Sequence, residues 1–225
     1  MRMGNIITIA KKEFKDYFTS PVAYIILVIL WLISGWFFSS TIFLINYATL
    51  SGFTANFDLF LVFIIPAIAM RVISDEKKHG TMELLLTNPL KGEEIILGKF
   101  LASWLLTVIA ILGTLIYPIT LSFISHPDWG EFVGIYIGYI LLASMYLSAG
   151  IFASSLTSQN VSAYLIGFLL CFFFFIVGKV LNFVPAPFRG ILAYVSSDLH
   201  LENITKGVID LSCLLYTSDA ADELD

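Results

Sequence analysis

Three histidines, His79, His126 and His200, and two cysteines, Cys171 and Cys213, are the chain's whole supply of imidazole and thiol. All three histidines stand in polar stretches between apolar runs, and no HExxH or GxSxG pattern surrounds any of them. Asp198, His200 and Glu202 bring ligand types together on one polar segment. Such a grouping arises readily by chance, so no metal site is assigned. Two cysteines support neither a disulfide framework nor a four-thiolate centre. Gly98-Lys99 and Gly178-Lys179 lack the upstream glycine and the following hydroxyl of a phosphate-cradling loop. The chain therefore reads as non-enzymatic, with no catalytic residue and no cofactor of its own.

The chemistry that remains is recognition, and it concentrates in RVISDEKKHGTMELLLTNPLKGEEIILGK, residues 71–99. Ser74 is expected to cap a short helix whose first turn holds Asp75 and Glu76. Lys77, Lys78 and His79 lie toward its end and Gly80 stops it, which matches the helix dipole. Met82, Leu84, Leu85 and Leu86 follow as an apolar stretch, Asn88 and Pro89 turn the chain, and Glu93 and Glu94 open the next helix. Lys99 marks the membrane boundary. A short charged helix beside apolar anchors, held between two spans, suits docking into a soluble partner and passing on its motion. The same charges would also serve if they only fixed topology and touched lipid head groups.

The elements that must hold this segment are membrane spans. With 58% hydrophobic and 13% charged residues, the composition is far from the roughly half-apolar, quarter-charged mix of soluble domains. A hydrocarbon core of about 30 Å needs about 20 apolar helical residues, and residues 22–44, 100–124 and 132–156 supply them without a charge. Residues 53–70, with Asp58 and Pro66, and 161–178, ending at Lys179, complete five spans. The expected fold is an all-α polytopic membrane protein.

Arg2, Lys11, Lys12 and Lys15 precede the first span, and Arg71, Lys77, Lys78, Lys91 and Lys99 fall between the second and third. Residues 46–52 and 125–131 have no Lys or Arg. The positive-inside bias therefore puts the N-terminus and the 71–99 segment in the cytoplasm. Residues 6–18 set Ile6, Ile9, Ala10, Phe14, Tyr17 and Phe18 near one helical face and Lys11, Lys12, Lys15 and Asp16 mostly elsewhere, ending before Pro21. That is an interfacial-helix pattern, although a basic flank that merely orients the first span would need only the lysines. Ionisable residues at mid-membrane or paired broken helices, the marks of channels and secondary transporters, are not found; Pro66 and Pro118 read as kinks. Ser144, Ser148, Gly150, Ser154, Ser155 and Thr157 recur along the fourth span and suit close helix packing.

The formal charge of −5 is set by the tail, where Asp219, Asp222, Glu223 and Asp225 have no basic neighbour; without them about −1 remains. Residues 185–190 break the helix with Pro185, Pro187 and Gly190, and 196–210 read as an external polar segment.

Several stretches resemble the type-2 ATP-binding-cassette (ABC-2) exporter permeases, in the compact branch that includes the gliding-motility-associated permease subunit. They are IAKKEFKDYFTSPVA at 9–23, IPAIAMRVISDEKKHGTMELLLTNPL at 65–90, LGKF at 97–100, PDWG at 127–130, GIFASSLTSQNVSA at 150–163 and KGVID at 206–210. The resemblance implies an inner-membrane permease that couples ATP hydrolysis by a separate ATPase subunit, which would bind the ATP and Mg, to export. It implies a pore formed as a dimer, with a second copy or a second permease, among membrane lipids and without nucleic acid. It assigns ATPase docking to the segment holding Ser74, Asp75, Glu76, Lys77, Lys78, His79, Gly80, Thr81 and Glu83, with Lys11, Lys12, Phe14, Tyr17 and Phe18 in the interfacial helix. The family has six spans. Here residues 1–211 are expected to be permease domain, while 212–225, SCLLYTSDAADELD, look like translated adapter read-through in place of the sixth span. A membrane anchor or scaffold for a cytoplasmic ATPase, without transport, is the alternative.

Overall fold

The computed structural model describes residues 3–45, 51–81, 92–123 and 129–180. Glu83, His126, the 198–202 grouping and the tail from 212 lie outside them. Among the described residues every regular element is an α-helix, and five stretches are long and apolar enough to cross a membrane.

The first helix, α1 (Met3–Thr19), ends where Ser20 and Pro21 interrupt the chain. Pro21 opens α2 (Pro21–Ile45) at the helical position where a missing N–H costs nothing. Next come α3 (Ser51–Ala69), α4 (Arg71–His79), α5 (Gly92–Gly113), α6 (Ile116–Ser122), α7 (Trp129–Leu156) and α8 (Asn160–Val180).

The apolar stretch that includes α3 and α4 is the centre of the bundle: 67% of its 18-residue apolar segment is buried, against 28% for the segment in α2 and 22% for that in α8. Phe57, Leu61, Val62, Ile65 and Ile68 of α3 meet Tyr139, Ala143, Tyr146 and Leu147 of α7 in one core. The outward sides of α2 and α8 keep Leu32, Trp36, Leu169 and Phe173 exposed, as lipid or another subunit requires.

One expectation is corrected and another is given its geometry. The third span, one apolar stretch from Gly92 to Ser122, is interrupted between α5 and α6 where a kink at Pro118 is expected, because Pro118 has no N–H and its ring would meet the Thr114 carbonyl. The chain tightens just ahead of it: Thr114, Leu115 and Tyr117 donate three residues back, to Ile111, Leu112 and Thr114, at 3.0 Å each. The correction concerns the short charged helix, which starts at Arg71 rather than after Ser74. Its N-cap position is Met70, and Asp75 and Glu76 fall in its middle. Gly80 does stop it, in the left-handed conformation at φ 67°, which a residue without Cβ adopts at no cost.

Candidate functional site

At one end of the bundle α1, α4, the start of α5 and the turn between α7 and α8 converge. The residues that draw them together are polar, and several are buried.

Lys99 is only 4% exposed. Its ammonium lies 2.7 Å from Glu76 Oε1 of α4 and 3.1 Å from Glu13 Oε1 of α1. A buried ammonium is tolerated only when paired, and two carboxylates from two other helices do the pairing. One turn before it, Glu94 accepts a hydrogen bond from Asn5 Nδ2 at 3.1 Å, and one turn after it Ser103 Oγ meets Tyr17 Oη at 2.9 Å. Burial pushes the Tyr17 phenol up to about 12. Gly98 lets α1 approach, because a Cβ there would stand 2.7 Å from Ile9 Cγ2. The apolar face of α1 thus packs on α5, with Ile6 and Ala10 buried and Phe14 against Phe18 at 5.0 Å.

The other side of α4 is held by the α7–α8 turn. Ser154 Oγ accepts from the Ile73 and Ser74 backbone N–H groups at 3.1 and 3.0 Å and lies 3.0 Å from the Met70 carbonyl, to which it donates. A hydroxyl inserted in the i→i−4 ladder breaks or bends a helix, and this one separates α3 from α4. Ser74 therefore does not cap α4. Its hydroxyl sits in the helix interior between the Met70 carbonyl and Asn160 Oδ1, 2.7 Å from the latter, and the capping oxygen comes from Ser154. Asn160 Nδ2 also donates to Asp75 Oδ1 at 2.6 Å, and Lys77 Nζ donates to the Ser155 carbonyl.

The residues assigned to docking consequently divide. Ser74 is fully buried, and Asp75 and Glu76 are turned into the protein as ties. Lys77, Lys78, His79, Gly80 and Thr81 are exposed. His79 Nδ1 lies 2.7 Å from the Asp75 carbonyl, so it donates there and leaves Nε2 outward. Of the helix assigned to the interface, Lys11 and Lys12 are exposed while Phe14, Tyr17 and Phe18 are half-buried. Lys99, Glu13, Ser154 and Asn160 were not singled out as site residues by sequence. The signals were a lysine one turn inside an apolar helix and the run SSLTSQN between two spans.

The arrangement ties α4 directly to α5, α7 and α8 and, through Lys99, to α1.

Residues 7–206 match the model of the ABC-2 family of transporter proteins. The chain is also 28% identical over 172 residues to the probable ABC transporter permease protein NosY of Pseudomonas aeruginosa, an alignment covering 69% of this chain and 62% of that relative. It thus spans under two thirds of the relative's length. On the family match and the five stretches among the described residues that are long and apolar enough to cross a membrane, the chain belongs to the ABC-2 family of transporter proteins and is a multi-pass protein of the bacterial inner membrane.

Proposed function

We propose that the chain is the permease subunit of an ABC-2 exporter and that a separate ATPase docks on the exposed end of α4, at Lys77–Thr81 and onward to Glu83. The observation that carries this is the double tie of α4, through Lys99 to α1 and α5 and through Ser154 and Asn160 to α7 and α8. An element that only satisfied topology would need its charges in water, not bonded to neighbouring helices. ATP-driven movement of the partner would turn α4 as a lever and shift the spans.

Lys11, Lys12, Lys15, Arg71, Lys77 and Lys78 share this end of the bundle, which supports a cytoplasmic N-terminus. The exposed apolar sides of α2 and α8 suit a second permease or lipid. The 9–23 and 65–90 stretches support a place near the gliding-motility-associated branch.

The test is co-purification of the full-length gene product with the ATPase encoded beside it. Lys78→Glu with His79→Ala, both exposed, should reduce recovered ATPase about tenfold while the permease stays folded. Lys99→Met should retain the ATPase but lose its stimulation by the permease. Unchanged recovery with the first pair sinks the docking assignment. ATPase bound but never stimulated by the wild type would favour the anchor reading.

A further inference from the structure

A cavity of about 310 Å³ opens between α1, α2, α3, α4 and α5, and its two halves differ in chemistry. One half carries Lys12, Glu13, Asp16, Arg71, Asp75, Glu76 and Lys99; the other is lined by Val22, Ile26, Ala67, Ile68 and Leu106. Lys99 pairs with Glu13 Oε1 and Glu76 Oε1, which leaves Glu76 Oε2 buried without a hydrogen-bond partner among the described residues. Two cations, Lys12 and Arg71, and two anions, Asp16 and Asp75, also line it, Asp75 with its Oδ1 already accepting from Asn160 Nδ2. Arg71 Nε is buried and has no hydrogen-bond partner among the described residues. A buried guanidinium donor without an acceptor is costly, and its fork matches phosphate oxygens.

A ligand for this cavity must bring an anion to Arg71 without a net negative charge, since Asp16 and Asp75 would repel one. It must also bring a cation with donors for those carboxylates. The apolar half lies where the spans begin, at the depth where head group gives way to acyl chain. The volume is at the lower limit of the roughly 300–1,000 Å³ of small-ligand sites, enough for a head group whose chains remain in the bilayer. We propose that the cavity holds the phosphoethanolamine head group of a phospholipid from the leaflet that flanks α1, phosphate on Arg71 and ammonium between Asp16 and Asp75. A choline head group has no N–H to donate, and a glycerol head group has no cation. The site does not depend on an ATPase docking, nor on which side of the membrane α1 faces.

The test uses the full chain, purified in mild detergent, stripped of lipid and offered dioleoyl phosphatidylethanolamine, phosphatidylcholine or phosphatidylglycerol, with retained lipid counted by native mass spectrometry. Phosphatidylethanolamine should be held about tenfold more tightly than the other two, as one charge-assisted bond allows. Arg71→Gln should remove that preference. Ala67→Leu, which fills the apolar half without touching a charge, should lower retention in a folded protein even if the Arg71 variant does not fold. Equal retention of the three lipids, or an unchanged count in Ala67→Leu, overturns the proposal. Displacement of the lipid by millimolar inorganic phosphate, but not by glycerophosphoethanolamine, would show a simple anion site and overturn it too.

Discussion

Lys99 Nζ reaches Glu76 Oε1 at 2.7 Å, and through this one pair the charged helix α4 is fixed to the buried start of α5. Glu13 takes the same ammonium from the side of α1. Since the lysine is almost wholly buried, it holds both carboxylates together or leaves its charge stranded. The consequence is mechanical: α1, α4 and α5 must move as one body or the ion network must break.

Replacing Lys99 by Met keeps most of the unbranched side chain and removes its ammonium, leaving Glu13 and Glu76 close together and poorly solvated. Breaking a buried pair from one side costs about 3 kcal/mol. The loss should appear in equilibrium unfolding in mixed micelles, and more than half should return in Glu13→Gln, Lys99→Met, Glu76→Gln, where no carboxylate is stranded. A single variant within about 0.5 kcal/mol of wild type, the scatter of ordinary surface substitutions, would mean that the network is solvated and weak.

Ser154→Ala removes the acceptor of the Ile73 and Ser74 amides and the donor to Met70. Leaving buried backbone groups unpaired costs about 1–3 kcal/mol. Hydrogen exchange at those two amides should accelerate at least tenfold in the variant, with little change in the middle of α7. If their protection were unaltered, the helix would have closed its own ladder, and the hydroxyl would not be what separates α3 from α4.

Spans of uncharged apolar sequence were legible because hydrocarbon thickness is a local length requirement: α2 and α7 cover the expected 22–44 and 132–156 to within a few residues. Gly80 was legible for the same reason, since a left-handed stop depends on one residue's backbone. The rest depends on partners far away in the chain. Ser74 has the composition of a cap, but the capping oxygen is Ser154, 80 residues later. Lys99 reads as a membrane boundary because hydropathy cannot see that Glu13, 86 residues earlier, makes its burial tolerable. The interruption between α5 and α6 leaves hydropathy unchanged, and it was legible only through Pro118, a local mark of a kink.

Tyr17 gives a pH dependence of known sign. Its phenol titrates near 10 when unfolded and is pushed up to about 12 by burial in the fold. The folded protein therefore keeps a proton that the unfolded chain loses between pH 10 and 12. This contribution is complete below pH 10 and disappears as pH rises through 12, about 2–3 kcal/mol at most for two pH units. Tyr17→Phe should show a shallower fall over that interval than wild type. Parallel alkaline limbs in the two proteins would place the wild-type phenol in water.

The seat of α1 on α5 makes the most exacting prediction. A Cβ on Gly98 would stand 2.7 and 2.8 Å from Ile9 Cγ2 and Cβ and 3.2 Å from the Ile6 carbonyl, so α1 has no room to retain its position over an alanine. Gly98→Ala also gains helix propensity, worth roughly 1 kcal/mol, which works against the clash. Overpacking of this kind costs about 1–3 kcal/mol, and moving α1 outward would additionally stretch Glu13 from Lys99 and Tyr17 from Ser103. The sign of the net effect therefore reports whether α1 is truly seated there. Ile9→Ala removes Cγ2, the nearer of the two colliding side-chain atoms, and leaves Cβ in place. In a double-mutant cycle the pair should be more stable than the sum of the singles by about 1–2 kcal/mol, within the range for residues in contact. Strict additivity, with Gly98→Ala stabilising on its own, would mean that α1 rides free of α5 and that the ion network at Lys99 does not bind the helices into one body.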